Sequence, residues 1–148
     1  MARILIFLFI IPFPFQEEHA AGVFIVNTPP KKTVCDNELK MVIGQVKVCI
    51  SKKPIVAIEE IDYVTEIRYE PKIEAHYIDI GFSSAAVSTL TKTAASLPTA
   101  KFALVVDGDV ICLFSLSSQL GIRYVRIGED APLKDLTVIH DILRSVKF

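Results

Sequence analysis

Hydrophobic and polar positions alternate from Ile61 to Glu70. Ile61, Tyr63, Ile67 and Tyr69 share one side, and Asp62, Glu66, Arg68 and Glu70 the other. A period of two is the repeat of a half-buried strand. Pro71 stops the run, and Ile73 to Phe82 reads as the next strand, with Ile78, Ile80 and Phe82 inward and Asp79 outward. The two predict an antiparallel pair joined at Glu70-Pro71-Lys72. Lys101 to Leu116 is patterned differently. Its runs Phe102–Val106 and Val110–Phe114 are apolar at odd and even positions alike, which predicts arms covered on both faces and central in their sheet. Asp107-Gly108-Asp109 stands between them. Asp-Gly between β-rich runs signals a type I′ hairpin turn, whose two central residues both need φ > 0.

The apolar spacing becomes helical twice. Ser83-Ser84 offers an N-cap for a helix over Ala85 to Ser96, with Val87, Leu90, Ala94 and Leu97 at helical spacing and Pro98 as its stop. The second helix is expected over Ala131 to Val146, with Leu136, Ile139, Leu143 and Val146 as its core stripe. Pro132 suits its first turn. Glu129 and Asp130 at its positive end and Arg144 and Lys147 at its negative end complement its dipole. Ser115 to Gly121 reads as a polar turn or a short helical piece, and Ile122–Ile127 as a strand. Nearer the N-terminus, Val23–Asn27 is a short β-like run ended by Thr28-Pro29-Pro30-Lys31-Lys32. Leu39 to Ile50 holds a further strand, broken by Ser51-Lys52-Lys53-Pro54. From residue 61 the order is strand, strand, helix, hairpin, strand, helix. The fold class is therefore α+β, an antiparallel sheet with two helices packed on one face.

The extreme N-terminus changes the picture of where the chain works. Arg3 precedes an apolar run from Ile4 to Phe15 that contains Pro12 and Pro14, and Ala20-Ala21-Gly22 follows. A span needs about 20 apolar residues. This run is shorter and carries helix breakers, and small residues stand at −3 and −1 of a cut before Val23. That is the layout of a cleavable secretory signal; the alternative is a buried N-terminal strand. The expected organisation is a signal peptide over 1–22, an N-terminal extension with short strands over 23–60, and the α+β domain over 61–148. Residues 1–22 hold one basic and two acidic residues out of totals of 16 and 17, so the mature chain carries equal numbers of both. Such neutrality leaves no electrostatic footprint for nucleic acid and no polybasic membrane patch. No other stretch is long enough to span a membrane, and the expected location is periplasmic or secreted.

The chain has three cysteines. In an oxidising compartment two should pair and one stay buried. Cys35 and Cys49 flank a short segment that can close as a hairpin-like loop, and their bridge is worth about 3 kcal/mol on the chain-entropy model. Cys112 lies among Ile111, Leu113 and Phe114 and reads as a small buried hydrophobe. Cys112, His140 and Asp141 can be drawn as a nucleophile set. An apolar surrounding gives the thiol no cation to lower its pKa, however, and argues against it. His76 follows the inward parity of Ile78 and Ile80 and reads as a core-edge residue. Asp107-Gly108-Asp109 lacks the further ligands of a calcium loop. There is no phosphate-cradling glycine loop and no zinc spacing. No cofactor and no enzymatic activity are expected.

From Ile61 onward the chain resembles the head subdomain of the large periplasmic loop of SecD, the membrane component that assists protein export together with SecF. The residues that carry the likeness are Phe82-Ser83 at a strand end, Leu90 and Thr93 in the following helix, and the stretch Phe102-Ala103-Leu104-Val105-Val106-Asp107-Gly108-Asp109-Val110-Ile111. Ser51-Lys52-Lys53-Pro54-Ile55 resembles the lead-in of stand-alone relatives. The family pattern then departs. Cys112-Leu113-Phe114 replaces Ser-Ala-Pro, and a glycine-rich segment is reduced to Gly121 and Gly128 with Arg123, Tyr124 and Arg126 between them. Without transmembrane helices there is no proton pathway to carry over. The resemblance implies a SecD-head-like fold and a domain outside the cytoplasm that touches polypeptide.

Two functions of different class follow. One is a non-catalytic exported module whose partner is another polypeptide. The alternative is an immunity or inhibitor protein that neutralises a toxin or enzyme in the same compartment. The surface suited to recognition is the edge around Ser115–Ile127, with Arg123, Tyr124 and Arg126 as partner-binding residues, since Tyr and Arg anchor interfaces and an edge strand can pair with an extended peptide. Strand alternation also allows Tyr124 to be core and the arginines merely solvating.

Overall fold

A computed structural model of the chain describes residues 20–27, 35–116 and 123–146. The strongest local signal in the sequence sits at its centre. Strands β8 (Lys101–Val106) and β9 (Asp109–Ser115) form the Asp-Gly hairpin, with φ of 50° at Asp107 and 83° at Gly108. A bulge at Ile111 lets both Ile111 and Cys112 face the side of Leu104, while Val110 faces the opposite side. β1 (Gly22–Ile25) pairs antiparallel with β8, and β4 (Val56–Ala57) with β1, giving the sheet order β4-β1-β8-β9. Both faces of β8 are buried, as two-sided hydrophobicity predicts: Phe102, Leu104 and Val106 on one, Ala103 and Val105 on the other.

The cover on the second face is the hairpin of β2 (Glu38–Lys40) and β3 (Lys47–Cys49). Val48 and Ile50 pack there on Phe24, Ala103 and Val110. Cys35 is disulfide-bonded to Cys49, with 5.7 Å between their Cα atoms. The expected connector over residues 28–32 lies outside the described residues, as does the N-terminal apolar run over 4–15.

The other sheet has the order β10-β7-β5, with β6 also on β7. Its strands are β5 (Ile61–Val64), β6 (Arg68–Glu70), β7 (Ala75–Phe82) and β10 (Tyr124–Ile127), all antiparallel to β7. The single strand expected over 61–70 is two. Thr65 leaves the ladder, its N–H donating to the Asp79 carbonyl (3.0 Å) and its hydroxyl accepting from the Asp79 N–H (2.9 Å). The alternation expected there fails for a related reason. Ile61 opposes Phe82 and Tyr63 opposes Gly81, so a bulge at Asp62 reverses the parity. Ile61 is buried, while Tyr63 and Tyr69 are about half exposed.

Helices α1 (Ser84–Ser96) and α2 (Leu133–Ser145) both pack into the core that the two sheets share. Ser83 caps α1, accepting from the Ala86 N–H (3.1 Å) and donating to the Glu60 carboxylate. Ala86, Leu90 and Ala94 from α1 meet Leu136, Ile139 and Leu143 from α2 around Ile78, Ile80, Phe102 and Leu104. The class is α+β with antiparallel strands and two helices on one side. The strand ladder is nevertheless interrupted: β9 and β10 adjoin without pairing. Among the described residues, no helix packs on the second face of the β7 sheet.

Candidate functional site

That uncovered face is built by register. Arg126 stands directly opposite Asp79, and Tyr124 opposite Gly81. Tyr63 reaches the same face because of the bulge at Asp62 and also stands opposite Gly81. Its ring crosses the glycine so closely that a Cβ at residue 81 would overlap it. Tyr77 and Asp79, two residues apart on β7, complete the face.

The centre is an ion pair. Arg126 Nε donates to Asp79 Oδ1 at 2.9 Å and Nη2 to Oδ2 at 3.3 Å, a two-pronged contact. The guanidinium carbon lies 3.8 Å from the centroid of the Tyr77 ring and 5.9 Å from that of Tyr124. Glu129 approaches Nη1 at 3.9 Å. The hydrogen bond to Asp79 is the main cause that raises the Arg126 pKa above its ordinary value, so the side chain stays charged. Asp79 is only 5 % exposed although it points away from the main core, because Arg126 covers it. A carboxylate taken out of water needs such a partner.

Of the three residues expected to bind a partner, Tyr124 and Arg126 come together on this face. Arg123 is exposed just ahead of β10, and its carbonyl accepts from the Phe82 N–H at 3.1 Å. Strand alternation sends its side chain to the other side from Tyr124. The stretch 117–122 of the expected recognition edge lies outside the described residues. Period-two reasoning missed Tyr63, and the pairing of Asp79 with Arg126 spans 47 positions that no local pattern connects.

The architecture matches solved structures. SecDF, described as a membrane component that enhances protein export, superposes with a TM-score of 0.55 at 10 % identity, over 86 % of this chain and 64 % of the other. SecDF in its super-membrane-facing form gives a TM-score of 0.57 at 11 % identity, over 86 % of this chain and 19 % of the other. The fold is that of a SecD-like head domain. No protein-family model and no curated protein matches the sequence. The chain spans less than two thirds of the SecDF chains it matches. Among the described residues, no helix is long and apolar enough to cross a membrane.

Other reactive groups of this SecD-head-like fold serve its packing. Cys112 is buried, and burial pushes its thiol from an ordinary 9.0 up to about 12, so no thiolate forms at neutral pH. His140 is turned to Glu66, 3.4 Å from its Nε2, and Arg144 binds the same carboxylate at 3.0 Å. The Arg144 contact ties α2 to the segment between β5 and β6, while among the described residues His140 Nε2 has no hydrogen-bond partner. Among the described residues no three His, Cys, Asp or Glu side chains converge as a metal set.

Proposed function

We propose that this chain is an exported, non-catalytic module that binds polypeptide through the uncovered face of the β7 sheet. The observation that carries the reading is the pair of accessible tyrosines, Tyr63 and Tyr124, beside Arg126, which is held over the buried Tyr77 and Asp79, on a sheet face that no helix among the described residues occupies. Aromatic and arginine side chains supply most of the energy at protein interfaces. Here the arginine is already held in place by Asp79, so little side-chain freedom is lost when a partner docks. The SecDF-like fold supports the same reading, since SecDF is described as enhancing protein export. The Cys35–Cys49 disulfide fits an oxidising compartment outside the cytoplasm, as does the N-terminal layout of one arginine, an apolar run and small residues.

The test is site-specific photocrosslinking in the producing cell. A benzoylphenylalanine is placed at residue 63 or 124, with residue 138 on the outer side of α2 as control. The expected result is a discrete protein adduct from 63 and 124 and none from 138. Adducts from 138 alone, or equal adducts from all three, refute the assignment of the face. An adduct whose second component is a toxin or enzyme would identify the partner as the target of an inhibitor.

A further inference from the structure

A cleft of about 380 Å³ opens where β9 and β10 adjoin without pairing. Its volume is within the roughly 300–1,000 Å³ range of small-molecule sites. The Cα atoms of the two strands come within 8 Å of each other. A strand paired with both would hold them about 9.5 Å apart, so the space is a pocket and not a slot for a strand. Its apolar lining converges from separate elements. Ile111 of β9, Ile127 of β10 and Ile139 of α2 are all buried side chains, and Met41 and Ile43 reach it from the loop between β2 and β3.

The charged groups around the cleft do not cancel. Glu129, Asp130 and Asp135 line it, and among the described residues Arg126 is the one lining cation. Arg126 is already held by Asp79 in the two-pronged contact, and Glu129 lies 3.9 Å from its Nη1, so these three groups satisfy one another. Asp130 and Asp135 are different. Among the described residues neither carboxylate has an ion-pair partner. Lys134, next to Asp135 in the chain, does not line the cleft. Asp135 stands in the first turn of α2, where the helix end supplies roughly half a positive charge. That offsets part of Asp135 and leaves Asp130 whole. A purely apolar ligand would strip water from these carboxylates without giving them a partner, and an anion would be repelled. A cation carried on an apolar body meets both demands.

We propose that this cleft is a second binding site, beside the tyrosine face, for a small amphiphilic amine: a primary ammonium on an apolar chain. The chain lies against Ile111, Ile127 and Ile139, and the ammonium pairs with Asp130 and Asp135. The site goes beyond the polypeptide-binding reading and does not depend on it, since Tyr63, Tyr77 and Tyr124 take no part in its lining.

The experiment uses the processed, disulfide-bonded protein labelled with nitrogen-15. Two probes of equal chain length and opposite charge, n-octylammonium and octanoate, are titrated at pH 7 below their micelle concentrations. Affinity and site are both read from amide NMR shifts. Octylammonium should bind at least tenfold more tightly than octanoate, with its largest shifts at Ile111, Ile127, Ala131 and Ile139 and none on α1. Asp130→Asn combined with Asp135→Asn should cut that preference at least fivefold. Ala131→Phe, which puts a ring into the cleft from a lining position, should abolish binding with an unchanged Tm. Equal affinity for the two probes, or no saturable binding of octylammonium, overturns the proposal. So do shifts centred away from the cleft, or full binding by a folded Ala131→Phe protein. If Ala131→Phe does not fold, the double carboxamide variant decides alone, and an undiminished preference in it overturns the proposal.

Discussion

Replacing Arg126 by methionine tests the centre of the candidate site, because it removes the charge and keeps most of the aliphatic length. Asp79 would then keep a carboxylate whose side chain is 7 % exposed, without the two-pronged contact at 2.9 and 3.3 Å that Arg126 supplies. Removing one member of a buried pair costs about 3–5 kcal/mol, most of it the uncompensated charge left behind. The Arg126 side chain is 27 % exposed, so water reaches the vacated space and the lower end applies, about 3 kcal/mol. For a domain of this size that lowers Tm by roughly 10 °C. Replacing both residues, Asp79→Leu with Arg126→Met, removes the stranded charge along with its partner, and its stability should return to within about 1 kcal/mol of the parent. The assay is urea unfolding of the four proteins of the cycle with the disulfide intact, supported by thermal melts. A coupling of about 2 kcal/mol or more is expected. If Arg126→Met costs under about 1 kcal/mol, or the two single costs simply add, the pair does not hold this face and Asp79 is satisfied in another way.

Three further outcomes follow from the same structure. The Cys112 thiol deprotonates near 9.0 when unfolded and at about 12 when folded. The unfolded chain therefore binds fewer protons between those values, and stability is complete below pH 9 and declines as pH rises toward 12, by about 4 kcal/mol in all. In urea unfolding at pH 8 to 10.5, Cys112→Val should remove that part of the slope; parallel slopes for the two proteins would contradict the burial. Gly128 has φ +102°, and a Cβ there would meet Leu136 Cδ1 at 2.5 Å, whereas at Gly44, φ +76°, the nearest atom is 3.9 Å away. Gly128→Ala should thus cost about 2–3 kcal/mol and Gly44→Ala about 1, and equal losses in denaturant melts would refute the packing at Gly128. Finally, Gly22 pairs with both Ala57 and Val105, and the Ala21 carbonyl accepts from the Ile58 N–H (3.3 Å). A cut before Val23, itself 0 % exposed, would strand a charged amine in the sheet. The processed chain should therefore begin at Ala21 or earlier, and an intact mass corresponding to a Val23 start would show otherwise.

Much of the architecture was legible residue by residue, because the features concerned are local. The Asp107-Gly108 turn needs only two residues that tolerate φ > 0. Two-sided hydrophobicity in Phe102–Val106 can be satisfied only where both faces are covered, and they are. Leu90 and Ala94 in α1, and Leu136, Ile139 and Leu143 in α2, face the core because 3.6-residue spacing permits no other common face. The resemblance in Phe82-Ser83 and the Val-Val-Asp-Gly hairpin pointed to the SecDF fold that the solved structures share.

The candidate site was not legible in the same way, because register made it. A bulge at Asp62 moves Tyr63 from the expected inner side to the open face, while beyond the break at Thr65 Ile67 packs on the core as expected; one inserted residue leaves no mark on a hydrophobicity pattern. Asp79 reads as a solvated strand residue until β10 is laid beside β7 and sets Arg126 opposite it. The cleft depends on something no single strand encodes. β9 and β10 are neighbours in the chain and adjoin in space, yet each is hydrogen-bonded to a different sheet. Local periodicity determined which residues are strand, helix and core. Only the long-range pairing of strands decided which polar groups were left facing one another, and which edges were left open.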